Sequence, residues 1–303
     1  MAKRVLLAAT ILLIVVTATT TAQLTVWTEI TATHVTEEKV DGVIDWTEGF
    51  IFATGIAIPP QDAVSEAHGR LQAREAAIYK AYQRLAEIIT EVKLLGVAEV
   101  RDLILDDDVL SIVVDSAISK AQIVPEFEDW YVPPKKLLWI FNRPGDWREG
   151  QYSVTVQYNF LHELPVTAAA QGIVPIPAIE EEYEEVTPYT GLVLDALGVP
   201  LDQATFLRIV DPDENVVAMV QGPHFAPVAG YELSLLGHVQ VNDAENDPRV
   251  GHDPLTVQVL ALATDGVSLM VSQLHADLIR QMAATSSILE PRSDRVVVVL
   301  RGR

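Results

Sequence analysis

Apolar and polar positions change period several times along the chain, and each period predicts an element. Over residues 45–58, DWTEGFIFATGIAI, the residues Trp46, Phe50, Phe52 and Ile56 stand at even positions with small or polar residues between them. Period two with aromatic and β-branched content predicts a strand. Gly49 and Gly55 predict a bulge or a close backbone approach within it, and Pro59-Pro60 ends it. From Asp62 the spacing becomes helical: Val64, Leu71, Ile78, Leu85 and Val92 recur every seven residues, with Ala67, Ala81, Ile88 and Leu95 between them. That stripe predicts a long helix, capped by Asp62, with the stripe as its buried face. The small residues Ala73, Ala76 and Ala77, and Arg74 at a seam position, favour a helix lying on a sheet over a coiled coil.

A short helical stretch follows near 97–105, then Asp106-Asp107-Asp108 at the start of a further helix, VLSIVVDSAIS. Carboxylates there suit the positive end of a helix dipole, and adjacent acids splay apart instead of converging on one ion. Two strands come next, AQIVPEFEDWYV and GQYSVTVQYNFL; in the second, Tyr152, Val154, Val156 and Tyr158 alternate with Ser153, Thr155 and Gln157. Between them lies an apolar insert, PPKKLLWIFNRPGDW. Residues 165–188 carry four prolines and the run IEEEYEEV, which predicts an extended, stiff linker. Beyond it, TFLRIVDPDENVVAMV predicts a hairpin, and PLTVQVLAL and VSLMVS predict a second one around Thr264-Asp265-Gly266. A helix over 272–284 places Leu274, Leu278, Ile279 and Met282 on one face. The closing RVVVVL predicts a strand buried on both faces. The fold class expected is α+β: two domains, 43–164 (β-α-α-β-β) and 189–303, each a mainly antiparallel sheet packed with helices, preceded by an N-terminal arm at 23–42.

Composition narrows the classes. With 303 residues, 49% of them hydrophobic, the chain can bury ordinary cores. The absence of Cys removes disulfides, Fe–S clusters, thiolate zinc sites and thiol catalysis together. Twenty-one basic against 42 acidic residues, net −21, excludes nucleic acid as an expected partner. Lys3 and Arg4 precede a charge-free run over 5–16 and a small, polar TATTTA segment, which predicts an export signal over 1–22 cleaved after Ala22. The run is shorter than the roughly 20 residues a spanning helix needs. Its removal shifts the net charge from −21 to −23, because it takes two basic residues and no acid. No later stretch is expected to span a membrane, so the mature protein is expected in the periplasm or at the outer membrane or cell surface.

No catalytic signature emerges. His162-Glu163 begins like a metalloprotease helix, but Leu164-Pro165 follows and no His stands four residues on. Asp211, Asp213 and Asn215 occupy the first three ligand positions of a calcium loop, yet Val216 replaces its glycine and Gly222 its final glutamate. A hairpin turn explains DPDEN better. The seven histidines, at 34, 68, 162, 224, 238, 252 and 275, show no ligand spacing. No catalytic, cofactor-binding or metal-binding residue is therefore expected, and no cofactor. The insert is the unusual feature. Trp130, Tyr131, Leu138, Trp139, Phe141 and Trp147 are the candidate contact residues, for protein partners in the cell envelope or for self-association. The alternative is a ligand- or metal-binding protein, or an enzyme, with a site assembled in the second domain near His224, His238 and His252.

The sequence EGFIFATGIA, followed by AREAAIYKAYQRLAEII and then GQYSVTVQYNF, resembles the LPP-twenty-like family of bacterial envelope lipoproteins and the N-terminal domain of flagellar assembly protein T. The second half, with YTGLVLDALGVPLDQATFLRIVDPDENVV and RVGHDPLTVQVLA, is similar to the C-terminal region attached to that domain in exported proteins. The resemblance implies an envelope-associated, non-catalytic role, in some relatives at the outer-membrane base of flagella. The chain departs from the lipoproteins in lacking the lipidated Cys, and the shared motifs are structural glycines and alanines that carry no site residues over.

Overall fold

The computed structural model describes residues 34–96, 98–104, 106–137, 141–143, 145–174, 188–228, 242–290 and 293–301. The fold is α+β. Its first half contains β1 (Thr36–Lys39), β2 (Gly42–Asp45), β3 (Phe50–Ala57), α1 (Glu66–Thr90), β4 (Lys93–Leu95), β5 (Ala98–Glu99), α2 (Val100–Leu103), α3 (Asp107–Lys120), β6 (Gln122–Ile123), β7 (Asp129–Tyr131), β8 (Lys135–Leu137), β9 (Phe141–Arg143), β10 (Gln151–Asn159) and α4 (Phe160–Ala170). β1, β2 and β3 form an antiparallel meander, and β3 pairs with β10 from Phe50↔Asn159 to Ala57↔Tyr152. β6 and β7 pair antiparallel with β10 in turn. α1 lies across β3 and β10.

α1 begins at Ser65, whose side chain accepts from the His68 N–H, and not at Asp62. Its buried face also differs from the heptad stripe. Gly69, Ala73, Ala77, Ala81, Leu85, Ile88 and Ile89 are buried, whereas Val64 and Leu71 are 86% and 52% exposed. The reason is the strand beneath. A Cβ added at Gly55 would lie 2.0 Å from the Ala77 carbonyl oxygen and 2.4 Å from the Ala81 nitrogen, so helix and strand backbones touch and only alanines at four-residue spacing fit between them. The bulkier leucines and isoleucines are admitted only at the far end. The helix then stops, and residues 93–95 form a strand where the seam was expected to continue through Leu95.

β10 ends at Asn159, whose side chain accepts from the His162 N–H and caps α4. The helix runs through Pro165, against the expectation of irregular chain there. Pro165 has no N–H for the Leu161 carbonyl, and that oxygen faces Gly222, where a Cβ would sit 2.3 Å from it. Burial of Phe160, Leu161, Leu164, Pro165 and Ala168 holds the helix in place despite the missing bond.

The second half comprises β11 (Gly191–Asp195), β12 (Phe206–Val210), β13 (Val216–Gln221), β14 (His224–Val228), α5 (Asn242–Glu245), β15 (Pro254–Gln258), β16 (Ala261–Leu262), β17 (Leu269–Met270), α6 (Gln273–Thr285) and β18 (Val296–Arg301). The β12–β13 hairpin forms as expected around 211–215. Asp211 accepts from the backbone of Asp213 and Asn215 and pairs with Arg280 at 2.6 Å, so its carboxylate is committed to the turn. The Asp265-Gly266 turn joins β16 to β17, while β15 leaves for another sheet. That sheet, in the order β14-β18-β11-β15, is wholly parallel, unlike the antiparallel arrangement expected. Continuous apolar runs such as VVVVL are what a sheet covered on both faces selects. On α6 the buried residues are Ala276, Ile279 and Met282, spaced by three; Leu274, well around the helix from Ile279, is 69% exposed.

The two halves meet through backbone and core. β4 pairs parallel with β12 at Leu95↔Phe206, and the Thr205 N–H and hydroxyl both donate to the Lys93 carbonyl. One apolar cluster runs from Ile44, Leu85 and Ile88 through Phe160 and Leu164 to Phe206, Phe225, Ile279 and Val298. Trp46 lies inside it, edge-on to Phe160 at 4.9 Å and to Phe225 at 5.7 Å. Among the described residues no helix is long and apolar enough to cross a membrane.

Candidate functional site

Two places concentrate chemistry, one at the seam between the halves and one on the surface of α1. The seam site begins with the β2–β3 turn. Asp45 Oδ1 accepts from the Thr47 and Glu48 N–H groups at 2.9 and 3.1 Å, and its Oδ2 meets His34 Nδ1 at 2.7 Å. Thr47 accepts from the Val35 N–H and donates to the Phe225 carbonyl. The turn is thereby pinned to β14, with the Thr47 carbonyl aimed at the next residues.

That carbonyl accepts from Arg249 Nη1 at 2.7 Å and lies 2.8 Å from His224 Nδ1. His224, at the start of β14, is 5% exposed, and its Nε2 stands 3.2 Å from Asp294 Oδ1. His162, in the first turn of α4, reaches the same Asp294 oxygen with its own Nε2. One ligand atom from each of His162, His224 and Asp294 thus lies within 4.8 Å of the other two. Asp294 holds this position in the left-handed region, φ 53°, which few residues other than Gly, Asn and Asp tolerate. Burial works to raise its pKa, but the hydrogen bonds from His224 and His162 prevail and hold the carboxyl below its ordinary value. Arg249 is anchored by Asp247, with Nε–Oδ1 at 3.0 Å and Nη2–Oδ2 at 2.7 Å. Burial would lower the Arg249 pKa; the Asp247 partner raises it instead.

The second place is an open groove of about 520 Å³ at the first turns of α1, lined by Glu66, Ala67, Arg70, Leu71, Arg74 and Tyr152. The Arg70 guanidinium lies 6.0 Å from the Trp130 ring centre and 5.8 Å from that of Tyr152. Arg74 binds Glu128 through two nitrogens, and the Tyr152 hydroxyl donates to the same carboxylate. The Arg74 and Tyr152 donors hold Glu128 below the ordinary carboxylate pKa, against burial. A depressed carboxylate contributes stability that is present above its unfolded pKa, about 4.3, and lost as pH falls through the folded value. Glu128→Gln is therefore expected to flatten the acid limb of the stability curve. Urea midpoints taken between roughly pH 3 and pH 7 read this; an unchanged acid slope would contradict it.

Of the expected contact residues that are described, Trp130 and Trp147 lie against α1 beside this groove. Trp130, half-buried on β7, stacks on Tyr152 at 5.9 Å, and Tyr131 beside it is 42% exposed. Trp147 is half-buried, and its ring is so close to α1 that a Cβ at Gly69 would lie 2.5 Å from it. Phe141 belongs to β9, hairpinned to β8; Leu138 and Trp139 lie outside the described residues, as do His238 and the run of glutamates. His252 is exposed and stands apart from the His162–His224–Asp294 cluster. The histidine spacing hid this cluster, because its members are 62 and 70 residues apart and Asp294 carries no motif. His162 was visible only as a failed metalloprotease start.

Residues 191–302 match the family model of the second domain of Treponema pallidum Tp0624. The match spans β11 to β18 and contains His224, Arg249 and Asp294, while His162 and the α1 groove lie outside it. A comparison with curated proteins gave no match.

Proposed function

We propose that the protein is an exported, non-catalytic interaction protein of the cell envelope, and that the α1 groove is its contact face. The observation that carries this reading is the exposure of Leu71 in a groove that also holds the Arg70 guanidinium, with Val64 exposed just ahead of α1, in a chain of net charge −21. Apolar side chains left in water beside stacked arginine and tryptophan are the composition of a binding hot spot. The chemistry fits a protein segment that presents an apolar side chain flanked by a carboxylate. The export signal expected over 1–22 and the resemblance of the sequence to LPP-twenty-like and flagellar assembly protein T domains support an envelope location.

Paired replacement of Leu71 by Asp and Val64 by Ser is expected to remove the neighbours captured by cross-linking in intact cells. Both side chains are exposed, so the change in stability should stay within about 0.5 kcal/mol per site. Leu274→Asp, which alters an exposed residue on α6, serves as the control. Capture that survives the paired replacement, or is lost equally in the control, counts against the groove.

A further inference from the structure

We propose that His162, His224 and Asp294 form a binding site for a divalent transition-metal ion of the zinc class, which clamps α4 of the first half to the sheet of the second. The separations suit such an ion. Ligands about 2.0–2.1 Å from a tetrahedral centre stand about 3.3 Å from one another. His224 Nε2 and Asp294 Oδ1 are already 3.2 Å apart, and the third nitrogen falls within the same 4.8 Å group. Admitting the ion requires that His162 and Asp294, now in direct contact, move apart to the spacing of two ligands.

The surroundings are those of a ligand shell. A metal-binding imidazole usually donates its other N–H to a carbonyl or carboxylate, which fixes the tautomer and turns the free lone pair to the ion. His224 Nδ1 has the Thr47 carbonyl at 2.8 Å for this purpose. That carbonyl belongs to a turn locked by Asp45 and by the Thr47 hydroxyl, so it is held in place before any ion arrives. Arg249 binds the same carbonyl, and Asp247 offsets its charge. Asp294 keeps a left-handed backbone to bring its carboxylate between two imidazoles, and such conformations concentrate at functional sites. The side chains of His162 and Asp294 are 29% and 40% exposed against 6% for His224. The cluster therefore opens outward, leaving a path for entry and a position for water as fourth ligand. Two imidazoles and one carboxylate select zinc-like ions; calcium wants six to eight oxygens, and magnesium an octahedral oxygen shell.

The alternative occupant of the cluster is a proton, shared within a purely ionic His–Asp–His group. Equilibrium dialysis of the untagged, chelator-treated chain against Zn²⁺ decides between them. One equivalent per chain is expected, weakened at least about 100-fold by each of His162→Gln, His224→Gln and Asp294→Asn. Because these residues lie at a packed seam, far-UV circular dichroism must accompany each variant. A second readout needs no variant: the wild-type chain loaded with Co²⁺ should show the intense visible absorption of a tetrahedral nitrogen and oxygen site. Zinc binding below one equivalent, binding that survives all three substitutions, or a Co²⁺ spectrum like that of the aqueous ion would overturn the proposal. So would saturation by Ca²⁺ or Mg²⁺ at the same concentration as Zn²⁺. The α1 groove plays no part in any of these readouts, so the outcome is independent of the contact-face reading.

Discussion

Trp46→Ala is expected to destabilise the protein by about 3–5 kcal/mol, the largest loss foreseen for any single side chain. Trp46 is fully buried, and its ring packs edge-to-face against Phe160 from the first half and Phe225 from the second. Its backbone is committed as well, since its N–H donates to the Val35 carbonyl and its carbonyl accepts from the Phe225 N–H at 3.0 Å. Truncation would leave a cavity lined by elements that are tied to one another and cannot collapse into it. The urea transition should therefore shift as one cooperative step, with both halves losing stability together. Two separated transitions, with only one of them moved, would show that the shared core does not couple the halves. Trp46→Phe should be far milder. The indole Nε1 is buried with no hydrogen-bond partner among the described residues, so phenylalanine forfeits part of the contact area but removes an unsatisfied donor.

Elements set by local pattern differ from those set by tertiary contact. The β3 strand, the long α1, the β12–β13 hairpin, α6 and the buried β18 are all legible, because each is announced by its own period and by turn or cap residues within a few positions. The face of α1 is not. The heptad stripe through Val64 and Leu71 is as regular as the alanine row Ala73-Ala77-Ala81, and only the approach of Gly55 from a distant strand decides between them. The parallel sheet is hidden for a related reason. An apolar run such as VVVVL reveals that both faces are covered, but the direction of its neighbours β11 and β14 depends on how the chain returns between them. The seam cluster is the least legible part of all. It needs α4 to continue through Pro165, which local chemistry opposes and burial of Phe160 and Leu164 enforces. It also needs a left-handed Asp294, which no spacing announces. Proline and aspartate in unfavourable local roles thus mark the place where tertiary packing overrides the sequence pattern.

Gly55→Ala is the second large effect expected, at about 3 kcal/mol, the upper end of what overpacking costs. Its Cβ would enter at 2.0 Å from one helix backbone atom and 2.4 Å from another. Neither atom belongs to a side chain, so no rotamer change can admit the methyl, and α1 would have to lift from β3. Lifting it by an ångström opens the rows beneath Ala73, Ala77 and Ala81, where no longer side chain exists to fill the gap. Replacing Ala77 by Gly should not rescue the variant, because the obstructing atom is the Ala77 carbonyl oxygen and glycine keeps it. Gly198→Ala supplies the contrast: no atom of the described residues lies within 4 Å of the added carbon, and the change should stay within about 0.5 kcal/mol. Urea midpoints of the three variants measure the difference. A Gly55→Ala protein that unfolds at the wild-type midpoint, or one restored by Ala77→Gly, would mean that the spacing of helix and sheet is set elsewhere. In that case the alanine row would have to be explained by helix propensity alone, which does not require alanines to recur every fourth residue on the buried face.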